Sequence, residues 1–322
     1  MPVVAWNLWC YRGDRRALDA VYPALKRYVD FTTTKARGNL VRHGIGDWNH
    51  VNRRHVPSTE LTSSCYYRQA AAILARIAAI KGLADDAVRY AKLADAIKDA
   101  INAKFYKGNG VYDNGRQTAQ AFPLAFGVVP ESERAAVEAK LAASVEREGG
   151  HVDIGLLGSK HVFRALSRAG RTDLAFKMLT NPTKPSPVEW IQKGGTTLWE
   201  DWGDGASRNH IMFGDFMAWA YQYLGGIQLP EKDGSCAAIP DVTSTAFREV
   251  VIAPQFIKEL SWAKARVDGP YGMIGTSWKR EGGSVKLEVT VPPNTTAIVR
   301  LPGLAERRIG FGKYNFIMEE TR

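Results

Sequence analysis

Apolar residues in the first two thirds of the chain recur with a helical period. Ala71, Leu74, Ala75 and Ala78 fall at i, i+3, i+4 and i+7 and trace one face of a helix. Gly82 is a stop signal, and Asp85 or Asp86 opens a second helix with Tyr90, Ala94, Ile97 and Ile101 on its apolar face. So short a connection makes the two helices antiparallel neighbours. The same spacing predicts helices over 15–33, 119–126, 132–145, 160–169, 173–179 and 211–224. No fixed-period repeat runs through them, which argues against a solenoid. The expected architecture is mainly α: a toroid of helical hairpins with its long loops on one face.

After residue 230 the period changes from 3.6 to 2. EVVIAPQ, from Glu249 to Gln255, reads as a strand, and MIGTSWKR alternates Ile274 and Trp278 with polar neighbours. Gly282-Gly283 predicts a hairpin turn. Val285, Leu287, Val289 and Val291 then point to one face. Pro292-Pro293-Asn294 turns the chain into a further strand over 298–301. Two domains are expected: a helical one over 1–230 and a small antiparallel β-sandwich over 231–322.

Composition narrows the functional classes. With 322 residues and 45% hydrophobic content, the chain has material for a full core. The net charge is +10, but Arg15, Arg16, Lys26, Arg27, Lys35 and Arg37 lie scattered along helical faces. No basic patch interleaved with aromatics forms, so nucleic acid is not an expected partner, whereas an anionic polysaccharide is permitted. Cys10, Cys65 and Cys236 are odd in number and far apart, which gives neither a disulfide framework nor a metal spacing. MPVVAWNLWC lacks the features of a signal peptide. No run of about 18 apolar residues predicts a membrane span. The compartment stays open.

The chemistry sits in the loops. TTLWEDWGDGASRNH (196–210) sets Glu200, Asp201, Asp204 and His210 beside Trp199 and Trp202, with glycines at 194, 195, 203 and 205 that let the backbone turn. Indole faces stack on the apolar faces of sugar rings while carboxylates accept hydroxyl hydrogen bonds, the mixture a small-molecule cleft needs. A helix-capping or Arg208-paired Glu200 is the alternative. GIGDWNH repeats the theme with Asp47 and Trp48. His43, His50 and His55 match no ligand set, and Arg53 and Arg54 beside them oppose a cation, so neither metal nor cofactor is expected. Tyr66 and Tyr67 read as core and rim. Gln117 and Gln120 can either donate to a sugar or pack at a helix end. Neither a Gly-rich phosphate loop nor a nucleophile elbow is present.

In order and spacing, YRGDRRALDAVYPALKRYVDF, GIGDWNH, RQTAQAFPLAFGVVP, GLLGSKHVFRALSRAGRTDLAF, GGTTLWEDW and SRNHIMFGDFMAWAYQYLGGI together resemble the catalytic region of inverting bacterial α-L-rhamnosidases. The segment from VVIAPQ to TAIVRLP is similar to the β-sandwich that follows it. The resemblance implies an (α/α)6 toroid, incomplete in this chain, that cleaves terminal α-L-rhamnose from a glycoside or polysaccharide by single displacement. It implies Glu200 as general base, Trp48 as the ring-binding indole and His210 as a hydroxyl partner, with Asp47, Trp199 and Trp202 as further substrate-binding candidates. An inverting hydrolase also needs an acid roughly 6.5–9.5 Å from the base. The family's acid lies in an Asp/Arg/Glu-rich segment that has no counterpart here. Asp47, Asp113 and Asp153 are the loop-face substitutes, and a missing N-terminal segment or an oligomer partner is the other source. Two further readings stay open: a non-catalytic carbohydrate-binding remnant, and a polysaccharide lyase on a related toroid.

Overall fold

The computed structural model describes residues 2–203, 205–231 and 242–319. Asp204 and Cys236 lie outside the described residues. Ten α-helices are found among them: α1 (Pro2–Arg12), α2 (Arg15–Lys35), α3 (Thr59–Lys81), α4 (Ala84–Phe105), α5 (Gln117–Ala125), α6 (Arg134–Arg147), α7 (Leu156–Arg168), α8 (Thr172–Thr180), α9 (Pro187–Gln192) and α10 (Asp215–Trp219). A π-helical turn, Ala220–Leu224, continues α10.

The chain forms two compact units. Arg16–Phe216 makes the body of the first, while Asn7–Arg15 clusters with the chain from Met217 onward in the second.

In the first unit α3 and α4 form the hairpin that the apolar period predicts. Ala71, Leu74, Ala75 and Ala78 are buried, as are Tyr90, Ala94, Ile97 and Ile101. Ser58 caps α3 through its side chain, which accepts the Glu60 amide. Gly82 ends the helix at φ +76°, with its amide on the Ala78 and Ala79 carbonyls, the left-handed cap that glycine adopts without a Cβ penalty. Asp85 and Asp86 occupy the first turn of α4, where acidic groups suit the helix dipole. The short α9 has no counterpart in the sequence reading. Six residues show no period, and only Ser186 followed by Pro187 marks its start.

In the second unit the sheets are β1 (Ile227–Gln228), β2 (Glu249–Ile252), β3 (Trp262–Gly269), β4 (Gly272–Glu281), β5 (Ser284–Val291), β6 (Thr296–Val299), β7 (Arg307–Ile309) and β8 (Gly312–Glu319). They form two four-stranded sheets ordered β1-β2-β6-β7 and β3-β4-β5-β8. Pairing is antiparallel except between β2 and β6, which run parallel. The sandwich is therefore mixed in one sheet, because a long excursion through β3, β4 and β5 separates β2 from β6. Val285, Leu287, Val289 and Val291 are all buried, as period two predicts. Trp278 is buried as well and donates through Nε1 to the Leu224 carbonyl at 2.8 Å. Residues 7–15 join this unit through the Ala246 amide, which donates to the Cys10 carbonyl at 2.8 Å, and through Tyr11 against Phe247 at 5.9 Å.

Candidate active site

Two loops of the first unit meet around a cleft of about 860 Å³ lined by Trp48, His50, Arg53, Lys184, Asp201 and Trp202, among others. One is GIGDWNH. Gly44, Gly46 and Asn49 all take positive φ there, so the segment turns sharply and leaves the Trp48 side chain half exposed. The other is TTLWEDWGDGASRNH, folded on itself by the Glu200 amide donating to the Ser207 carbonyl (2.9 Å) and the His210 amide to the Leu198 carbonyl (2.8 Å). Asn49 joins the loops directly: its Nδ2 donates to the Glu200 carbonyl at 2.9 Å, across 151 positions of sequence.

Asp47 is placed otherwise than the sequence suggests. Its carboxylate is buried and accepts four hydrogen bonds: Thr118 Oγ1 (2.6 Å), the Gly155 amide (2.9 Å), the Leu157 amide (2.7 Å) and the Gly158 amide (3.0 Å). These amides are the unsatisfied donors at the start of α7, and a carboxylate is favoured there by the helix dipole. The group is spent on the protein, so a sugar hydroxyl has no lone pair left to claim. The Leu156 amide donates to the Trp48 carbonyl (2.8 Å), which seats the tryptophan on the same helix end. A Cβ at Gly155 would stand 2.4 Å from the Trp48 carbonyl, so only glycine allows this approach.

The two indoles of the LWEDW stretch also divide. Trp199 is 2% exposed and lies inside the protein, beneath the Arg208 guanidinium at 4.8 Å and against Trp190 at 6.2 Å. Its face is therefore not offered to the cleft. Trp202 does line the cleft, although mostly buried; it packs on Trp190 (5.1 Å) and Phe213 (4.6 Å) and donates to the Ile154 carbonyl at 3.0 Å. Two indoles serve this loop because they form its core. Trp190, the third member, lies on the helix that the sequence reading missed.

Glu200 is half-buried, and its Oε2 accepts the Ser207 amide at 3.3 Å. Its other oxygen has no protein partner among the described residues. The Arg208 pairing considered for it is not formed, since that guanidinium covers Trp199. His210 is half-buried, and its Nδ1 accepts the Met212 amide at 3.0 Å, which orients the ring with Nε2 left for another group.

The remaining candidates hold the loops. Gln117 accepts the Asp153 amide (2.9 Å) and donates to the His151 carbonyl (3.0 Å). Gln120 accepts the Tyr112 amide (2.7 Å) and donates to the Gly110 carbonyl (2.6 Å). Asp153 is buried against His55 Nδ1 at 2.8 Å, and Asp113 accepts the Ser58 amide at 2.7 Å. His50, between Asp47 (3.8 Å) and Asp153 (3.9 Å), is held below the usual histidine range by burial, against the pull of the two carboxylates. His55, Glu148 and Asp153 bring one ligand atom each within 4.8 Å of one another. Arg116 already answers that charge, at 2.5 Å from Glu148 and 3.8 Å from Asp153, so the donor set does not fit a metal ion.

The comparisons with known proteins bear on this geometry. Residues 1–224 match the bacterial alpha-L-rhamnosidase 6 hairpin glycosidase domain, and residues 240–315 the bacterial alpha-L-rhamnosidase C-terminal domain. The chain belongs to the bacterial α-L-rhamnosidase family. Across 98% of its length it is 29% identical to the alpha-L-rhamnosidase of Streptomyces avermitilis, of which it covers 30%. An alpha-L-rhamnosidase of Alteromonas sp. is 27% identical over 92% of the chain and 33% of the relative. The crystal structure of the Streptomyces avermitilis α-L-rhamnosidase complexed with L-rhamnose superposes with a TM-score of 0.88 at 27% identity, covering 98% of this chain and 32% of that one. The α-L-rhamnosidase from Dictyoglumus thermophilum gives 0.88 at 29% identity, with 98% and 39% covered. The chain thus spans about a third of the length of the curated rhamnosidases it matches. The hairpin array and the β domain are the rhamnosidase fold, and the cleft lies in the part matched to the glycosidase domain.

Proposed function

We propose that this rhamnosidase-family chain carries the water-activating half of an inverting α-L-rhamnosidase site, with Glu200 as general base. The observation that supports the reading best is the Asn49–Glu200 bond, which joins the loop bearing a half-exposed tryptophan to the loop bearing a carboxylate with an unclaimed oxygen. Trp48 supplies the apolar platform for the rhamnose ring, and Trp202 closes the wall beside it. His210, oriented by the Met212 amide, offers Nε2 to a hydroxyl. A water held by Glu200 attacks the anomeric carbon as the glycosidic bond breaks, and the carboxylate takes the water's proton. The leaving oxygen needs a proton in its turn. Asp47 is excluded from that part by its four hydrogen bonds, and Asp153 by its burial against His55.

The reading assigns residues 1–230 to the glycosidase domain and 231–322 to the β domain. It is tested with an aryl α-L-rhamnoside whose leaving group needs little protonation. General acid catalysis contributes typically 10²–10⁴-fold, so this substrate should turn over while a natural rhamnoside is hydrolysed far more slowly. Glu200→Gln, which keeps shape and removes the base, should abolish the aryl activity without shifting the melting temperature. Comparable turnover of both substrates by the unaltered chain, or full aryl activity in Glu200→Gln, would overturn it.

A further inference from the structure

The charges around the cleft are unevenly satisfied. Among the ionisable groups lining it, the Asp47 carboxylate is consumed by four hydrogen bonds, and Glu189 lies 3.0 Å from Lys193 Nζ. Asp201 accepts the Gly203 amide at 2.9 Å and is the one remaining acid among the described residues that line the cleft. Against it stand two cations, Arg53 and Lys184. Neither makes a hydrogen bond or ion pair to any described residue. Arg53 is held in place by its backbone, on the turn Arg53–His55 that Asn52 caps by accepting the Arg54 amide. The two come from segments 131 positions apart and converge on the cleft that holds Trp48. A solvated surface lysine carries no such message, but two cations without a partner among the described residues, beside an exposed indole in one concave site, select a ligand with both a sugar face and a negative charge.

We infer that the cleft accepts an α-L-rhamnoside whose aglycone is anionic, with Arg53 and Lys184 binding the carboxylate or sulfate of the residue attached to rhamnose. This rests on the reading of the cleft as a rhamnose site and adds the class of leaving group. Arg53 presents a planar fork matched to two anionic oxygens, and Lys184 a point charge. The pair determines specificity and takes no part in bond breaking.

The test is calorimetric binding to the full chain of three disaccharides: α-L-rhamnosyl glucuronate, the neutral α-L-rhamnosyl glucose, and its sulfated form. Binding is measured at low and high ionic strength for the unaltered protein, Trp48→Ala and the double variant Arg53→Ala/Lys184→Ala. One or both anionic ligands should bind about tenfold more tightly than the neutral one, and the preference should shrink with salt. The double variant should bind all three alike, with neutral affinity and melting temperature unchanged, because both side chains are exposed. Preference for glucuronate alone identifies a carboxylate subsite, and preference for the sulfated sugar alone a sulfate subsite. Equal affinity of the unaltered protein for neutral and anionic ligands would overturn this inference while leaving the rhamnose site standing. If no ligand binds, both readings fall.

Discussion

Asp47 shows how a single carboxylate can organise the loops around a cleft. Four donors converge on it from α5 and from the start of α7, and the next residue is the tryptophan that faces the cleft. A buried carboxylate is tolerable only when so many donors replace its water, and the converse also holds: without it, buried amides and a hydroxyl go unpaired. Asp47→Ala should destabilise the chain by about 3 kcal/mol, the scale of a broken buried charge network. Asp47→Asn keeps the shape and one acceptor oxygen, and should lose less. Urea denaturation of the two variants measures this. If Asp47→Ala matched the parent in stability, the capping role would be refuted and a solvent-facing, sugar-binding Asp47 would return.

At the scale of elements, α7 also carries a buried, unsatisfied imidazole. His161 is 1% exposed, and neither ring nitrogen has a hydrogen-bond partner among the described residues. It is enclosed by Phe122 (4.9 Å), Phe126 (4.9 Å) and Tyr66 (6.4 Å), from α5, its C-cap and α3. Burial, helped by the neighbouring Lys160 and Arg164, pushes its pKa well below the usual value, and burial lowers that of His50 as well. The sign follows by linkage. Both histidines bind a proton more readily in the unfolded chain, whose ordinary histidine value is about 6.5. Folding stability from these groups is therefore complete above that pH and declines as pH falls below it. His161→Phe removes one of the two protonation sites and leaves no hydrogen bond broken. Thermal melts between pH 7 and pH 5 should show a steep acid decline for the parent and a shallower one for His161→Phe, with the variant at least as stable at pH 7. Parallel declines would show that His161 is not kept neutral by folding.

The α3–α4 hairpin and the β4–β5 ladder are the elements most legible in the sequence, because each buries one face and its period repeats long enough to read. The short α9 and the strands β3, β7 and β8 left weaker marks. On β3 and β8 the outward residues include Trp262 and Ile317, which blur the alternation. The parallel β2–β6 pairing is a tertiary choice that no local pattern encodes.

For the whole molecule, the loops carried more of the candidate site than the helices did. LWEDW and GDW stood out because indoles and carboxylates between glycines are unusual in connecting segments. What the sequence could not show is which of them the fold uses for its own hydrogen bonding and packing. Asp47 and Trp199 have the same residue types as Glu200 and Trp48, yet the fold turns the first two inward and spends them on the α7 terminus and the loop core. Asn49, which bridges the loops, and Gly155, which admits the Trp48 backbone, have no chemistry of their own to attract notice. The family match fixes the fold, while the role of each residue depends on these contacts.

The claim that Glu200 activates the attacking water is tested most directly by nucleophile rescue. Glu200→Ala, which opens space where the carboxylate stood, is assayed on an activated aryl α-L-rhamnoside with and without sodium azide, and the sugar product is identified by proton NMR. Aryl release should be negligible without azide, and azide should restore it and yield a β-L-rhamnosyl azide of inverted configuration. Aryl release by Glu200→Ala at the parent rate without azide, or an azide product of retained configuration, would contradict it.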